Sequence, residues 1–310
     1  MRKPNVGEYR LSFVFLISVL LFALALSGAV KHAVLVADSF AREKKNIFAK
    51  QVFLKTNLKA KSVYIYDETD KSVIFSTHEN ETLPLASLAK VMTALVVSTD
   101  IPNNSKITIS NDAIKAEGES GLRSGESWDS SQLTRLMLLS SSNDAASALK
   151  EYYEKSNGQG SFIKRMNTLA SEIGMTHSIF YSESGLDKGL QPGAIGTGED
   201  VSKMFERALE VASETLSGTA TSSTVFRSID GAEHDAENTN DLSIHIEGLI
   251  ASKTGYTNLA GGNLGVIFRV PVYGHTVIAV VLGSSMEGRF SDMKMLIDAV
   301  GEYFKIRQID

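Results

Sequence analysis

Strand-like segments lie at both ends of the main body of this chain, and helical patterns fill the middle. Residues 62–67 (SVYIYD) and 72–76 (SVIFS) are rich in β-branched and aromatic residues, and the polar residues between them indicate a hairpin. Three further apolar runs follow near the other end, at 249–252, 262–270 and 275–283. Because a single sheet can bury all these runs together, we expect one antiparallel sheet assembled from both ends of the sequence.

The residues between the two strand regions show the spacing of amphipathic helices. Apolar residues recur with helical periodicity over 131–139, 143–154, 161–173 and 200–214. We therefore predict an α/β (α+β) fold, in which the antiparallel sheet is flanked by helices and carries an inserted all-helical lobe over residues 111–244.

The N-terminus has the pattern of an export signal or a membrane anchor. Arg2, Lys3 and Arg10 precede an uncharged, apolar run over 11–30, which is long enough to span a hydrocarbon core of about 30 Å. Either an uncleaved signal anchor or a signal peptide cleaved near residues 27–29 fits this pattern. The basic residues before the run favour an external position for the rest of the chain.

Residues 31–60 form a mixed apolar and basic connector, which we interpret as a juxtamembrane stalk. Its basic residues suit anionic lipid headgroups or wall polymers, although a plain solvated spacer explains them equally well. The predicted organisation is thus a signal segment over 1–30, a stalk over 31–60 and a folded domain over 61–310.

Composition excludes several classes of function. The formal net charge is -5 and the sequence contains no cysteine, so we expect no nucleic-acid partner, no disulfide and no thiol catalysis. The six histidines show no metal-ligand spacing. We therefore expect neither a metal nor a cofactor.

Ser87 and Lys90 form a Ser-x-x-Lys pair where a polar segment gives way to an apolar helix. Residues three apart share a helix face, so the two side chains can meet while the apolar residues anchor the helix in the core. The first turn also leaves free backbone N–H groups beside Ser87, where an oxyanion would need support. Ser-x-x-Lys occurs three more times in the chain, so this pair alone is weak evidence for acyl transfer.

Two further elements strengthen the interpretation of Ser87 as a nucleophile. Ser141 and Asn143 form the only Ser-x-Asn, in a predicted turn between two helices, and Lys253, Thr254 and Gly255 form the only Lys-Thr-Gly, at the end of an apolar strand. Taken singly, each element also has a purely structural explanation. Asn143 can be a helix N-cap, and Lys-Thr-Gly can be a strand that ends in a turn. The three together, in this order, indicate an active-site serine.

With these elements the chain resembles the penicillin-recognising serine enzymes, and most closely the low-molecular-weight D-alanyl-D-alanine carboxypeptidases of serine peptidase family S11. The text around the three motifs, together with Ser184-Gly185-Leu186-Asp187 and Asn238-Thr239-Asn240, matches that family over residues 61–305. The resemblance implies the fold shared by serine β-lactamases and DD-peptidases, and a bacterial, membrane-anchored or secreted enzyme of peptidoglycan metabolism.

The resemblance also implies roles for individual residues. Ser87 would attack the D-Ala-D-Ala bond and form an acyl-enzyme, Lys90 would be its base, and Ser141 would relay a proton to the leaving amine. Lys90 serves as a base only when neutral, so its pKa must be lowered, and we expect burial and the charge of Lys253 to lower it. Asn143 would hold the substrate backbone or Lys90.

Substrate binding is expected at the strand edge that carries the third motif. The resemblance implies that Lys253, Thr254 and Arg289 bind the free carboxylate of stem peptides ending in D-Ala-D-Ala. It also implies that Gly255 and Tyr256 continue the substrate-binding strand, with the backbone N–H of Tyr256 in the oxyanion hole. β-Lactams would mimic the dipeptide and acylate Ser87.

Three alternatives remain open from the sequence. A D,D-endopeptidase that cuts peptidoglycan crosslinks would use the same acyl-enzyme. A class A-like β-lactamase needs a Glu-x-x-x-Asn pattern after Ser-x-Asn, which the chain lacks, since Glu183 is followed by Asp187. An inactive penicillin-binding or wall-binding sensor module is disfavoured by the intact motif residues.

Overall fold

A computed structural model of the chain describes residues 31–32, 36, 43–118 and 121–308. The signal segment predicted over 1–30 lies outside these residues. Within the described ranges, no helix combines the length and the apolar character needed to cross a membrane.

A five-stranded antiparallel sheet forms the centre of the domain, in the order β10-β11-β12-β1-β2. Its members come from the two ends of the domain sequence: β1 Ser62–Asp67, β2 Ser72–Thr77, β10 Leu249–Thr257, β11 Gly261–Arg269 and β12 Thr276–Ser284. The junction between the two ends is the pairing of β1 with β12, in which Val63 lies opposite Val281. The predicted sheet built from both ends of the sequence is therefore confirmed.

Helices cover both faces of this sheet and fill the inserted lobe. They are α1 (residues 43–50), α2 Ala89–Asp100, α3 Ser130–Ser140, α4 Asn143–Asn157, α5 Ser161–Glu172, α6 Gly198–Val211, α7 Ser213–Ser217 and α8 Gly288–Gln308.

Strand β12 shows why both faces of the sheet are covered. Its alternate residues Ile278, Val280 and Leu282 belong to the core beneath α2 and α6, whereas Val277 and Val281 belong to a second core beneath α8. Since successive side chains of a strand point to opposite faces, an apolar strand of this kind requires a layer on each side.

The inserted lobe carries short strands in addition to its helices, which differs from the predicted all-helical lobe. These strands, with two others that precede the lobe, form a three-stranded and two two-stranded sheets: β3 Leu83–Pro84, β6 Ile179–Phe180 and β7 Ala194–Gly196; β4 Lys106–Thr108 and β5 Ser127–Asp129; β8 Ser223–Arg227 and β9 Glu233–Glu237. Most of these strands have only two or three residues, too few to give a periodic signal, and β8 and β9 are largely exposed and polar.

Residues 46–60, predicted to be part of a stalk, pack against the domain. The ring of Phe53 is buried and stacks on Phe75 of β2, with centroids 4.8 Å apart. The hydroxyl of Tyr303 in α8 donates to Asn46 Oδ1 at 2.6 Å, and the backbone N–H of Lys59 donates to Asp292 at 3.0 Å. The packed part of the chain thus begins near Asn46 instead of near Lys61. The composition gives no sign of this packing, because the buried Ala49 and Phe53 alternate with exposed apolar and polar residues such as Phe48, Gln51 and Leu54.

We expect Phe53→Ala to lower the free energy of unfolding by about 3–5 kcal/mol, because it removes a buried aromatic ring from the second core. Leu54→Ala is the matched control, since Leu54 is 76% exposed and its truncation should cost less than about 0.5 kcal/mol. Urea unfolding of the full chain measures both. Equal effects for the two variants would mean that residues 46–60 do not belong to the folded unit.

Candidate active site

Ser87 lies in a short 3-10 turn, Ala86–Leu88, that leads directly into α2. Ala86 has a left-handed backbone with φ of 48°, a region that residues with side chains seldom occupy. Nine residues of α2 are buried, so the helix is fixed in the core and the turn with it. The hydroxyl of Ser87 is thereby held at the N-terminal end of a buried helix, where free backbone N–H groups favour negative charge.

Lys90 extends from the first turn of α2 and is completely buried. Its Nζ lies 2.9 Å from Ser87 Oγ, 2.7 Å from Asn143 Oδ1 and 3.0 Å from the carbonyl oxygen of Ser184. These three acceptors come from the serine turn, from the start of α4 and from the loop after β6. The ammonium group therefore joins three segments that are far apart in the sequence.

Burial lowers the pKa of Lys90 to about 7, because water cannot solvate the charged form, while the carboxylate of Glu183 opposes this shift. Glu183 itself lies 3.3 Å from Lys150 Nζ, so part of its charge is compensated. A lysine with this pKa is partly neutral near neutral pH and can accept a proton from the hydroxyl that it contacts.

The turn between α3 and α4 presents Ser141 and Asn143 to the same region. Ser141 ends α3 in a left-handed conformation, with φ of 61°. Ser142 caps α4 by accepting from the backbone N–H of Ala145 at 3.0 Å. Asn143 is therefore not the N-cap of α4, which was the structural explanation that the sequence offered for it. Its amide instead donates to the carbonyl oxygen of Glu117 at 2.6 Å and accepts from Lys90.

Lys253 lies on β10 and is also buried. Its Nζ donates to Ser141 Oγ at 2.9 Å and to the carbonyl oxygen of Thr254 at 3.0 Å. Burial first, and then the charges of Lys90 and Arg289, hold its pKa well below the usual range. Repulsion between two cations is mutual, so loss of a proton from either lysine favours the charged form of the other.

The rest of the third motif continues along the edge strand of the sheet. Thr254 Oγ1 and Thr239 Oγ1 lie 2.5 Å apart. The carbonyl oxygen of Gly255 accepts from Arg289 Nη1 at 2.9 Å, and the side chain of Tyr256 is 44% exposed at the rim.

Arg289 approaches this strand from the start of α8 and is 6% exposed. Its Nε is buried without a hydrogen-bond partner among the described residues, and its guanidinium lies 4.6 Å from the centroid of the Phe290 ring. Burial lowers the pKa of Arg289, yet a guanidinium keeps its proton near neutral pH. This arrangement leaves a buried donor available to an anionic ligand.

Two buried features hold the serine turn against its neighbours. A Cβ added to Gly255 would lie 2.9 Å from the carbonyl oxygen of Leu85 and 3.2 Å from Ser87 N, so only glycine lets β10 approach this closely. Behind the turn, the buried amide of Asn263 donates to the carbonyl oxygen of Pro84 at 2.9 Å and accepts from the N–H of Gly283 at 2.8 Å.

The structure thus brings all nine predicted site residues to one region. The hydroxyl that accepts from Lys253 is that of Ser141. The sequence also gave no sign of the carbonyl groups of Glu117 and Ser184, because a backbone acceptor has no residue signature. Thr239 belongs to the Asn238-Thr239-Asn240 segment that matches the family, but the sequence does not indicate its contact with Thr254.

Comparison with known proteins identifies one family over most of the chain. The family described as D-alanyl-D-alanine carboxypeptidase matches residues 48–286. A solved structure, penicillin-binding protein D2 from Listeria monocytogenes in the ampicillin-bound form, is 28% identical, superposes with a TM-score of 0.66 and covers 79% of this chain and 98% of that chain.

Curated relatives carry two kinds of name. The D-alanyl-D-alanine carboxypeptidase DacB2 of Mycobacterium tuberculosis is 32% identical over 65% of this chain and 67% of that protein. DacF of Bacillus subtilis, also named a carboxypeptidase, is 28% identical over 69% of this chain, and the match spans only 56% of that protein's length. A D-alanyl-D-alanine endopeptidase of Escherichia coli is 29% identical over 85% of this chain and 82% of that protein.

We expect Gly185→Ala to destabilise the protein far more than Gly189→Ala in the same loop. Both glycines have left-handed φ, 76° and 62°, so alanine costs about 1–2 kcal/mol of backbone strain at either position. A Cβ on Gly185 would also overlap the carbonyl group of Ala86, whereas one on Gly189 would meet nothing within 4 Å. Overpacking adds at least about 1–3 kcal/mol. Urea unfolding of both variants checks the difference, and equal losses would show that the loop does not press on the serine turn.

Proposed function

The chain belongs to the D-alanyl-D-alanine carboxypeptidase family of serine peptidases, and from this premise we propose that it removes the terminal D-alanine from peptidoglycan stem peptides. The observation that carries the proposal is the fully buried Lys90 ammonium 2.9 Å from Ser87 Oγ. A hydroxyl beside a buried lysine of lowered pKa can act as a nucleophile with that lysine as its base.

Acylation begins when Ser87 Oγ attacks the carbonyl carbon of the D-Ala-D-Ala bond and its proton passes to neutral Lys90. The negative oxygen that forms is stabilised by the backbone N–H groups of Ser87 and Tyr256. Asn143 keeps the Lys90 side chain aligned through its 2.7 Å contact, and the Ser184 carbonyl fixes the same nitrogen from the other side.

Departure of D-alanine requires a proton on its amine. Ser141 is the proposed donor, since its hydroxyl is held by Lys253 at 2.9 Å, and the lysine pair resupplies the proton. The C–N bond then breaks, free D-alanine leaves, and the acyl group remains as an ester on Ser87. Water hydrolyses this ester and regenerates the hydroxyl.

The free carboxylate of the substrate is proposed to bind at the β10 edge. Three donors converge there: Lys253, Thr254 and Arg289, whose Nε has no other partner among the described residues. An arriving carboxylate favours the charged form of Lys253 and so offsets the effect of burial on its pKa. This gives the site a preference for a chain that ends at the second D-alanine.

Location and inhibitors follow from the same proposal. The apolar run over 11–30 would hold the enzyme at the bacterial membrane with its domain outside, or direct its secretion if cleaved. β-Lactams would acylate Ser87 as mimics of the dipeptide, in keeping with a Listeria monocytogenes relative whose structure has ampicillin bound.

The central prediction is release of free D-alanine from a D-Ala-D-Ala pentapeptide by the purified full chain. Ser87→Ala should reduce this release to background, because no other group in the proposed mechanism can form the ester. An enzymatic assay of D-alanine measures it, with circular dichroism confirming that the variant folds. Retained activity in Ser87→Ala would exclude the mechanism.

A D,D-endopeptidase is the second candidate, because a relative with that name aligns over 82% of its length. The same assay series decides between the two reactions when crosslinked peptide dimers are supplied in parallel. Faster cleavage of dimers than of pentapeptide monomers would favour the endopeptidase.

The rate of acylation should rise with pH around an inflection near 7. Below that value Lys90 carries a proton and cannot act as a base, and above it the neutral amine predominates. Labelling of the protein by a fluorescent penicillin between pH 5 and 9 gives the profile, with labelling of Ser87→Ala as the background. A rate that does not change across this range would argue against Lys90 as the base.

A further inference from the structure

The segment formed by α1 and the following 3-10 helix, Phe53–Lys55, has apolar side chains on two opposite sides. Ala49 and Phe53 point into the domain and are buried. Ile47, Phe48 and Leu54 point outward and are 59%, 61% and 76% exposed. We call these three residues, together with the exposed Lys44 and Lys55, the outer face.

Three large apolar residues close together on an outer face are unusual for a surface in water, because they gain nothing from solvent contact. Packing against the domain does not require these three side chains, since Ala49 and Phe53 already make the contact with the second core. An apolar surface of this kind, rimmed by charge, is typical of a contact with a partner.

The charge around the outer face indicates the chemistry of that partner. Residues 42–61 contain seven basic residues and a single acid, Glu43, although the whole chain has a net charge of -5. Lysine beside exposed aromatic and aliphatic side chains matches an anionic lipid surface, which takes the apolar groups below its headgroups and the ammonium groups among them.

The position of the outer face in the chain points to the same partner. The apolar run over 11–30 ends only 12 residues before residue 43, the first described residue of α1, and 12 residues reach at most about 40 Å. If that run is seated in a bilayer, the outer face is confined near the lipid surface.

We propose that the outer face docks on an anionic lipid surface and sets the orientation of the catalytic domain. The segment is attached to β2, through the stacking of Phe53 on Phe75 and a 3.2 Å bond from Lys50 to the Val73 carbonyl. Strand β2 is one edge of the sheet and β10, which carries Lys253, is the other. Four strand spacings, about 19 Å, separate them, so docking at β2 holds the β10 edge away from the lipid.

The proposal rests on the membrane attachment proposed above, and is independent of the peptidase chemistry. Because the chain has no cysteine, a single cysteine can report on one position. Leu54→Cys places a fluorophore on the outer face, and Leu190→Cys is the matched control, since Leu190 is 92% exposed in the loop that contacts Lys90 through Ser184. Circular dichroism verifies that each variant folds.

Each labelled full chain is reconstituted into phosphatidylglycerol vesicles that contain a spin-labelled lipid quencher. We expect quenching at residue 54 to be at least about twofold greater than at residue 190, and to fall towards the value at residue 190 in phosphatidylcholine vesicles or in 1 M salt. Lys44→Glu combined with Lys55→Glu should give the same fall.

Several outcomes overturn the proposal. If the chain does not float with the vesicles, both the membrane attachment and the docking are excluded. If it floats but shows equal quenching at the two positions, the docking alone is excluded. Shielding of residue 54 in detergent that grows with protein concentration would assign the outer face to a second copy of the chain. Shielding that appears only when an anionic wall polymer is added would assign it to the wall.

Discussion

The ammonium group of Lys90 has no contact with solvent, and the arrangement of the site depends on how the protein tolerates it. Removing a charged amine from water is costly unless acceptors replace the lost solvation. Here a hydroxyl, a side-chain amide and a backbone carbonyl take that place, from Ser87, Asn143 and Ser184. The replacement is incomplete, as the lowered pKa of Lys90 shows, and the same incompleteness makes the amine a usable base. Stability and reactivity of the site therefore have one physical origin.

The sheet divides the tasks of the domain between its two edges and its two faces. Strand β12 anchors both cores through alternate side chains, so it can contribute little to a site. The edge strand β10 has one free side, and it is there that Lys253, Thr254 and Gly255 meet the serine turn and the helical lobe. The other edge, β2, receives the N-terminal segment. A chain that closes its sheet from both sequence ends thus places the edge that meets the serine turn opposite the edge that receives the N-terminal segment.

The sequence was most informative where a function requires particular side chains at fixed spacing. Ser87 and Lys90 could be paired because a helix brings residues three apart together, and the strands could be assigned because apolar β-branched runs have few other uses. Sequence reasoning failed where a contact uses the backbone or a distant partner. The carbonyl groups of Glu117 and Ser184, and the bond between Lys253 and Ser141, depend on tertiary approach and leave no local pattern.

The N-terminal segment illustrates a different kind of failure. Its lysines suggested a solvated stalk, and only the alternation of Ala49 and Phe53 with exposed residues shows that one side packs on the domain. A short helix that is apolar on two sides gives no clear amphipathic period. Composition alone therefore could not distinguish a spacer from a folded segment with an outward contact surface.

Asn263 has a consequence for how the active site can respond to a ligand. Its amide connects Pro84, two residues before the serine turn, to β12, because it donates to the Pro84 carbonyl oxygen and accepts from the N–H of Gly283. A carboxylate at this position would lose the donor, and an aliphatic side chain would lose both bonds. The serine turn is consequently held from behind by the buried strand β12. A bound ligand therefore meets a rigid turn, and conformational change on binding is confined to the loops in front of it.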